Sequence, residues 1–266
     1  MPIATYADYL RAVSNPDYGT QIQKFGFPHS VGRLHSLWSM GNLGGAKPST
    51  PIAPTNETAG ALPFVNSADV RRIAQVEASY GTLGMIIICD RLSHQGELSG
   101  TVTEEQTTNL PTAALTRYTD GVGVMAALEI YTGVGSTPTT VSARYTNEVG
   151  TAGMITPLTT YGGSGFNDVW RFVILPLAAG DRGVRSVEGV TLSASTGTAG
   201  NFGVTLFKPL FAVPIIVSGQ QMLFDSILGM CGNMPQVLNN ACLFILIVSS
   251  LSTTGVLMAN VNIIRE

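Results

Sequence analysis

At 266 residues the chain is long enough to bury one large core or two modest ones. Charged residues make up only 12% of it while apolar content is an ordinary 45%, against a usual charged share of about 25%. The missing charge is replaced by 28 Thr and 20 Ser beside 30 Gly, and the net charge of −3 with one adjacent basic pair, Arg71-Arg72, speaks against nucleic acid or an acidic membrane surface as a partner.

The first predicted element is a helix over "TYADYLRAVSNP". Tyr6, Tyr9, Leu10 and Val13 recur at helical spacing and form one apolar stripe. Thr5 and Asp8 suit a capping pair, and Asn15-Pro16 ends the element because the residue before proline avoids the helical region. No basic segment followed by an apolar run precedes it, so no secretory signal is expected. "VGRLHSLWSM" reads as a second short helix or an extended segment. Gly41 to Phe64 then shows no periodicity and is punctuated by Pro48, Pro51, Pro54 and Pro63. Stretches of that length without regular structure usually bind or reach something. Its Leu43, Ile52 and Phe64 are more apolar than a flexible linker requires. Residues 1–68 are therefore expected to be a helical segment with an extended arm, and 69–266 a β-sandwich domain.

From about Asp69 the pattern is strands and turns. "MIIICDRL" suits a strand buried on both faces, and "VGVMAALEIYTG" follows it. In "TVSARYTNEVG" Val141, Ala143 and Tyr145 alternate with Ser142, Arg144 and Thr146. "DVWRFVILPL" alternates through Val169, Arg171, Val173 and Leu175, which places Trp170 in a strand. "GVRSVEGVTLSASTGTAGNFGVTLFKPL" holds two strands around a turn. Many short strands at turn-rich spacing predict a mainly β fold: an antiparallel β-sandwich or jelly-roll body with a short N-terminal helix and an extended arm.

The last run, Ala241 to Ile264, has no charge and is long enough to cross a bilayer. Two observations point to buried strands instead. Asn260 and Asn262 share one face of an alternating pattern, and only Arg265 offers an interfacial anchor. The stretch is expected to be a buried hairpin turning at "LSTTG", and no membrane partner is expected.

Catalytic signatures are few. No phosphate loop, HExxH, GxSxG elbow or dinucleotide fingerprint occurs. "CDRLSHQGE" is the best candidate for metal or acid–base chemistry, with Asp90, His94 and Glu97 in one segment that otherwise reads as a hydrogen-bonded loop. His29 and His35 lack acidic neighbours in sequence. Glu104 and Glu105 read as a solvated loop. Cys89, Cys231 and Cys242 sit in apolar settings and read as small buried hydrophobes. No catalytic residue, metal ligand or cofactor is assigned.

Two stretches, "NLPTAALTRYTDGVGVMAALEIYTGVGSTPTTVSARYTNEVGTAG" and "GDRGVRSVEGVTLSASTGTAGNFGVTLFKPL", resemble virion structural proteins of tailed bacteriophages, in particular proteins of unassigned function encoded among head and neck genes. The likeness spans Leu83 to Leu210 and is one of texture: Thr/Gly/Ala-rich strands with few charges. It implies a non-enzymatic subunit of the virion, assembled in the host bacterial cytoplasm, that binds itself and major capsid or other virion proteins. A capsid-associated subunit (minor capsid, cement or decoration) leads, with a tail or neck protein beside it. Oligomer contacts are expected from Tyr6, Tyr9, Leu10, Val13, Leu43, Ile52 and Phe64. Two other classes remain: a glycan- or host-surface-binding module presenting Trp38, Trp170 and Tyr161, and a jelly-roll hydrolase using Asp90 and His94.

Overall fold

The computed structural model describes residues 3, 5–14, 18–25, 30–111, 114–226, 234–252 and 255–266. The expected helix end at Asn15-Pro16, His29 and Cys231 lie outside the described residues. The fold is mainly β, with antiparallel sheets and one short N-terminal helix, α1 (Tyr6–Ser14).

One sheet carries β1 (Tyr18–Phe25), β16 (Val256–Arg265), β3 (Arg71–Tyr80) and β13 (Met222–Asp225) side by side, with β14 (Gln236–Val237) also on β3. The central sheet runs β10 (Phe172–Leu175), β6 (Met125–Thr132), β12 (Asn201–Ile215), β4 (Gly84–Leu98), β15 (Leu243–Ser249) and β2 (Leu34–Ser36). A third sheet orders β5 (Gln106–Leu110), β11 (Val184–Leu192), β7 (Thr139–Asn147) and β8 (Met154–Ile155), with β9 (Thr159–Tyr161) on β7.

The central sheet curls until its edges meet. His35 of β2 bridges Arg171 beside β10, and the Ser36 amide donates to the Trp170 carbonyl at 2.9 Å. Its convex face carries the other two sheets. One core lies against the first sheet, where Ile86, Ile88, Val213, Ile245 and Ile247 meet Ile73, Val76, Leu257 and Val261. A second lies against the third sheet, where Leu98, Leu128, Val204 and Leu206 meet Val141, Tyr145, Val187 and Val190. β4 and β12, fifteen residues each, are long enough to serve both. The concave face encloses a third core of Trp38, Cys89, Ala127, Phe172, Phe207, Cys242, Phe244 and Leu246.

The C-terminal stretch is packed β structure, but not a hairpin. β15 pairs with β4 and β2, whereas β16 pairs with β1 and β3, so the chain arches across the first core into the facing sheet. The pairs β6–β7 and β11–β12 arch in the same way, the first member of each joining a different sheet from the second. A turn signal shows that the chain reverses; which sheet receives the next strand depends on the other face of that strand, which in β16 is apolar enough to close the core.

The Pro/Gly-rich segment is drawn into the body. Leu62 and Phe64 belong to the first core and Trp38 to the enclosed one, while β1 and β2 are strands of the same sheets as the remainder. Glycine is required at the two points where the segment crosses Trp38. A Cβ on Gly45 would stand 2.1 Å from the indole, and Gly60, at φ +100°, would press on Gly45 at 2.6 Å.

Candidate functional site

The densest ionisable chemistry lies inside the curled sheet, and a β-bulge creates it. Phe207 faces Arg91 and Leu206 faces Ser93, which leaves Leu92 without a partner on β12. In a regular strand residues three apart point to opposite faces; the extra residue turns Arg91 and His94 to the same, concave side. Glu129 and Tyr131, two apart on β6, face them.

Arg91 grips Glu129 with two nitrogens, at 2.7 Å and 3.1 Å. The same guanidinium donates to Thr205 Oγ1 at 3.2 Å and lies over the rings of Trp38 and Phe244, 4.4 Å and 4.3 Å from their centroids. Thr205 and Tyr131 hydroxyls donate to Glu129 Oε2 at 2.9 Å and 3.2 Å. Burial alone would raise the Glu129 pKa, but Arg91, helped by the Ser36 and Thr205 hydroxyls, holds it below the ordinary carboxylate value. Arg91 Nη1 is 2.9 Å from His94 Nδ1, which must accept because guanidinium has no lone pair to offer. Burial and the neighbouring cation keep this imidazole neutral, with its proton on Nε2. Arg91 and Glu129 side chains have no solvent exposure. This is an ion pair closed within a barrel of aromatic rings.

Three further polar anchors join elements distant in sequence. Arg117 donates from Nε and Nη2 to the Asp90 carboxylate, both at 2.9 Å, at a point on the convex side of β4 between the two outer cores. Burial raises the Asp90 pKa, an effect that Arg117 opposes. His35 Nε2 lies 2.5 Å from Asp168 Oδ2 where β2 meets the approach to β10. The Tyr9 hydroxyl, 2.6 Å from Asp225 Oδ2, fastens α1 to the first sheet. Burial and the Asp225 carboxylate push that phenol well above its ordinary pKa, which keeps it a donor.

The expected acid–base segment is therefore a strand, not a loop. Asp90 faces the convex side and His94 the concave side, while Glu97, at φ +66°, bonds Asn201 outside. The three do not converge, and no group of metal-ligating residues forms among the described residues. Of the aromatics considered for a binding groove, Trp38 and Tyr161 are buried. Trp170 is half-buried rather than in a strand core; it occupies a turn at φ +66° and packs edge-on to Tyr131.

The seven expected contact residues separate into three groups. Tyr9 and Phe64 are buried in their own chain. Val13 packs beside Tyr9 over Ala74 and Ile264, and Leu43 packs against the first core. Ile52 exchanges backbone hydrogen bonds with His94, each at 3.0 Å. Tyr6 and Leu10 remain about half exposed, at 49% and 46%. The helix stripe is thus rotated: Tyr9, Ala12 and Val13 face inward because the Tyr9–Asp225 bond sets the angle. Sequence reasoning missed Glu129, Arg117, Asp168 and Asp225 as anchors. Asp225 left a signal, being the only charged residue between Lys208 and Arg265.

No protein-family model and no curated protein matches the chain. Among solved structures, the VP2 protein of infectious bursal disease virus in its T=1 particles aligns over 97% of this chain and 83% of its own, with 6% identity and a TM-score of 0.20. A VP2 subviral particle of the same virus aligns over 97% and 86%, with 9% identity and a TM-score of 0.17. Scores at that level establish neither a common fold nor a common function.

Proposed function

We propose that the chain is a non-enzymatic structural subunit of a bacteriophage particle, capsid-associated, that binds itself and capsid proteins. The observation that carries this reading is the disposal of its ionisable groups. Arg91, Glu129, His94, Asp90 and Arg117 are all spent inside, tying strands to one another and to the segment before β6, and each is at most 6% exposed. A reacting acid or base must reach its substrate, and these groups are walled off by packed side chains. The charge-poor, Thr/Ser/Gly-rich composition and the likeness of Leu83 to Leu210 to tailed-phage virion proteins support the same reading. Mass spectrometry of gradient-purified particles, from the phage whose genome encodes the chain, tests it. The chain is expected there in a reproducible copy number relative to the major capsid protein. Its accumulation in infected-cell lysate with none in the particles would contradict the proposal.

A further inference from the structure

The ends of five strands gather at one extremity of the sandwich, and their exposed side chains are apolar. Gly84 at the start of β4 faces both Ser249 of β15 and Ile215 of β12. The Ser250 amide donates to the Leu83 carbonyl at 2.9 Å, and Tyr80 of β3 faces Leu257 of β16. Here Leu83, Met85, Ile216, Val217, Leu251 and Val256 are all between 40% and 67% exposed. Six large side chains opened to that degree present several hundred Å², at the upper end of what a monomer leaves uncovered and a sizeable part of the ~800 Å² that each partner buries in a stable interface.

Among the described residues, the strand ends that form the tip carry no charge. The tip is built from the runs 80–85, 215–219, 249–252 and 255–257, none of which contains a charged residue. Arg33, exposed at the edge of the tip beside the Gly32–Ser249 backbone contact, has its guanidinium turned over the Phe166 ring at 4.2 Å. A lipid surface is a poor occupant, because Tyr80 is buried and these runs have no Trp, Lys or Arg to sit among headgroups. An unlike partner would ordinarily be steered and selected by charge, for which the tip offers only Arg33 at its edge. Two identical uncharged apolar tips match each other in this respect, and copies of a net-negative chain meet there without repulsion.

We infer that this tip is a self-association surface, at which a second copy of the chain buries Leu83, Ile216 and Leu251. The inference rests on the proposed structural role and names where the subunit meets itself. Sedimentation velocity on the full-length protein tests it, comparing wild type with Ile216→Asp/Leu251→Asp. Both side chains are exposed and lie just beyond the ends of β12 and β15, so an unchanged circular dichroism melt is expected to verify the fold of the variant. The wild type should associate at micromolar concentration, with the variant's dissociation constant raised roughly a hundredfold or more, since two carboxylates would be buried in the contact. A folded variant that associates as tightly as wild type overturns the tip assignment while leaving the structural role standing. A wild type that stays monomeric at every concentration, or floats with phosphatidylcholine vesicles, overturns the assignment as well. Absence of the chain from purified particles is the separate failure of the structural role.

Discussion

Arg91 and Glu129 illustrate what a buried ion pair contributes. Removing one partner strands the other charge inside the barrel, at a cost of roughly 3–5 kcal/mol. Replacing both by apolar groups removes the desolvation cost along with the attraction. Glu129→Ala should therefore lower stability severely, and Arg91→Met/Glu129→Leu should be closer to wild type than the single variant; chemical denaturation reads both. Lys24 is the opposite case, a buried amine with one carbonyl acceptor, Leu43 O, and a pKa lowered to about 8 by burial. Its unfolded value is near 10.4. Between these two values the unfolded chain holds a proton that the folded chain has released, so stability rises with pH from about 8 to about 10.5. Lys24→Met should remove that rise, which thermal melts across the interval would detect.

Single elements differ in how far the sequence exposes them. Helix α1 was legible to its cap: the Thr5 amide bonds Asp8 Oδ2 at 3.0 Å and the Asp8 amide bonds Thr5 Oγ1 at 3.2 Å. Its docking was not legible, because Asp225 stands 216 residues away. β7 was equally plain, alternating Val141, Ala143 and Tyr145 inward. β4 was half legible. The apolar run marked its first part, but the bulge at Leu92 reverses the alternation that a sequence reading must assume, which hid the meeting of Arg91 with His94. The C-terminal strands were found and their pairing was not. If Tyr9 and its neighbours cover Ala74 and Ile264, deleting residues 1–14 should lower the melting temperature and leave the β signal in circular dichroism intact. A shortened chain that melts like wild type would show that the helix adds nothing to its own body.

At the scale of the molecule, one curled sheet serves three cores: two on its convex face, each closed by a separate sheet, and one within. Fifteen-residue strands make this possible, since β4 and β12 each leave one outer core and enter the other. The buried ion pairs brace the curled sheet itself, Arg91–Glu129 across its concave face and Asp90–Arg117 on its convex side, while the exterior is rich in small polar and apolar residues. The composition announced such a body; the topology that joins its sheets lies in long-range pairings that no local pattern encodes. The central claim is that the enclosed groups brace a particle subunit and take no part in a reaction. Infectivity per assembled particle, measured for phage carrying only His94→Gln, tests it most directly. The glutamine carbonyl can accept from Arg91 in place of Nδ1, so assembly and infectivity per particle are both expected to match wild type. Particles that assemble in normal number and composition yet lose infectivity would contradict the account.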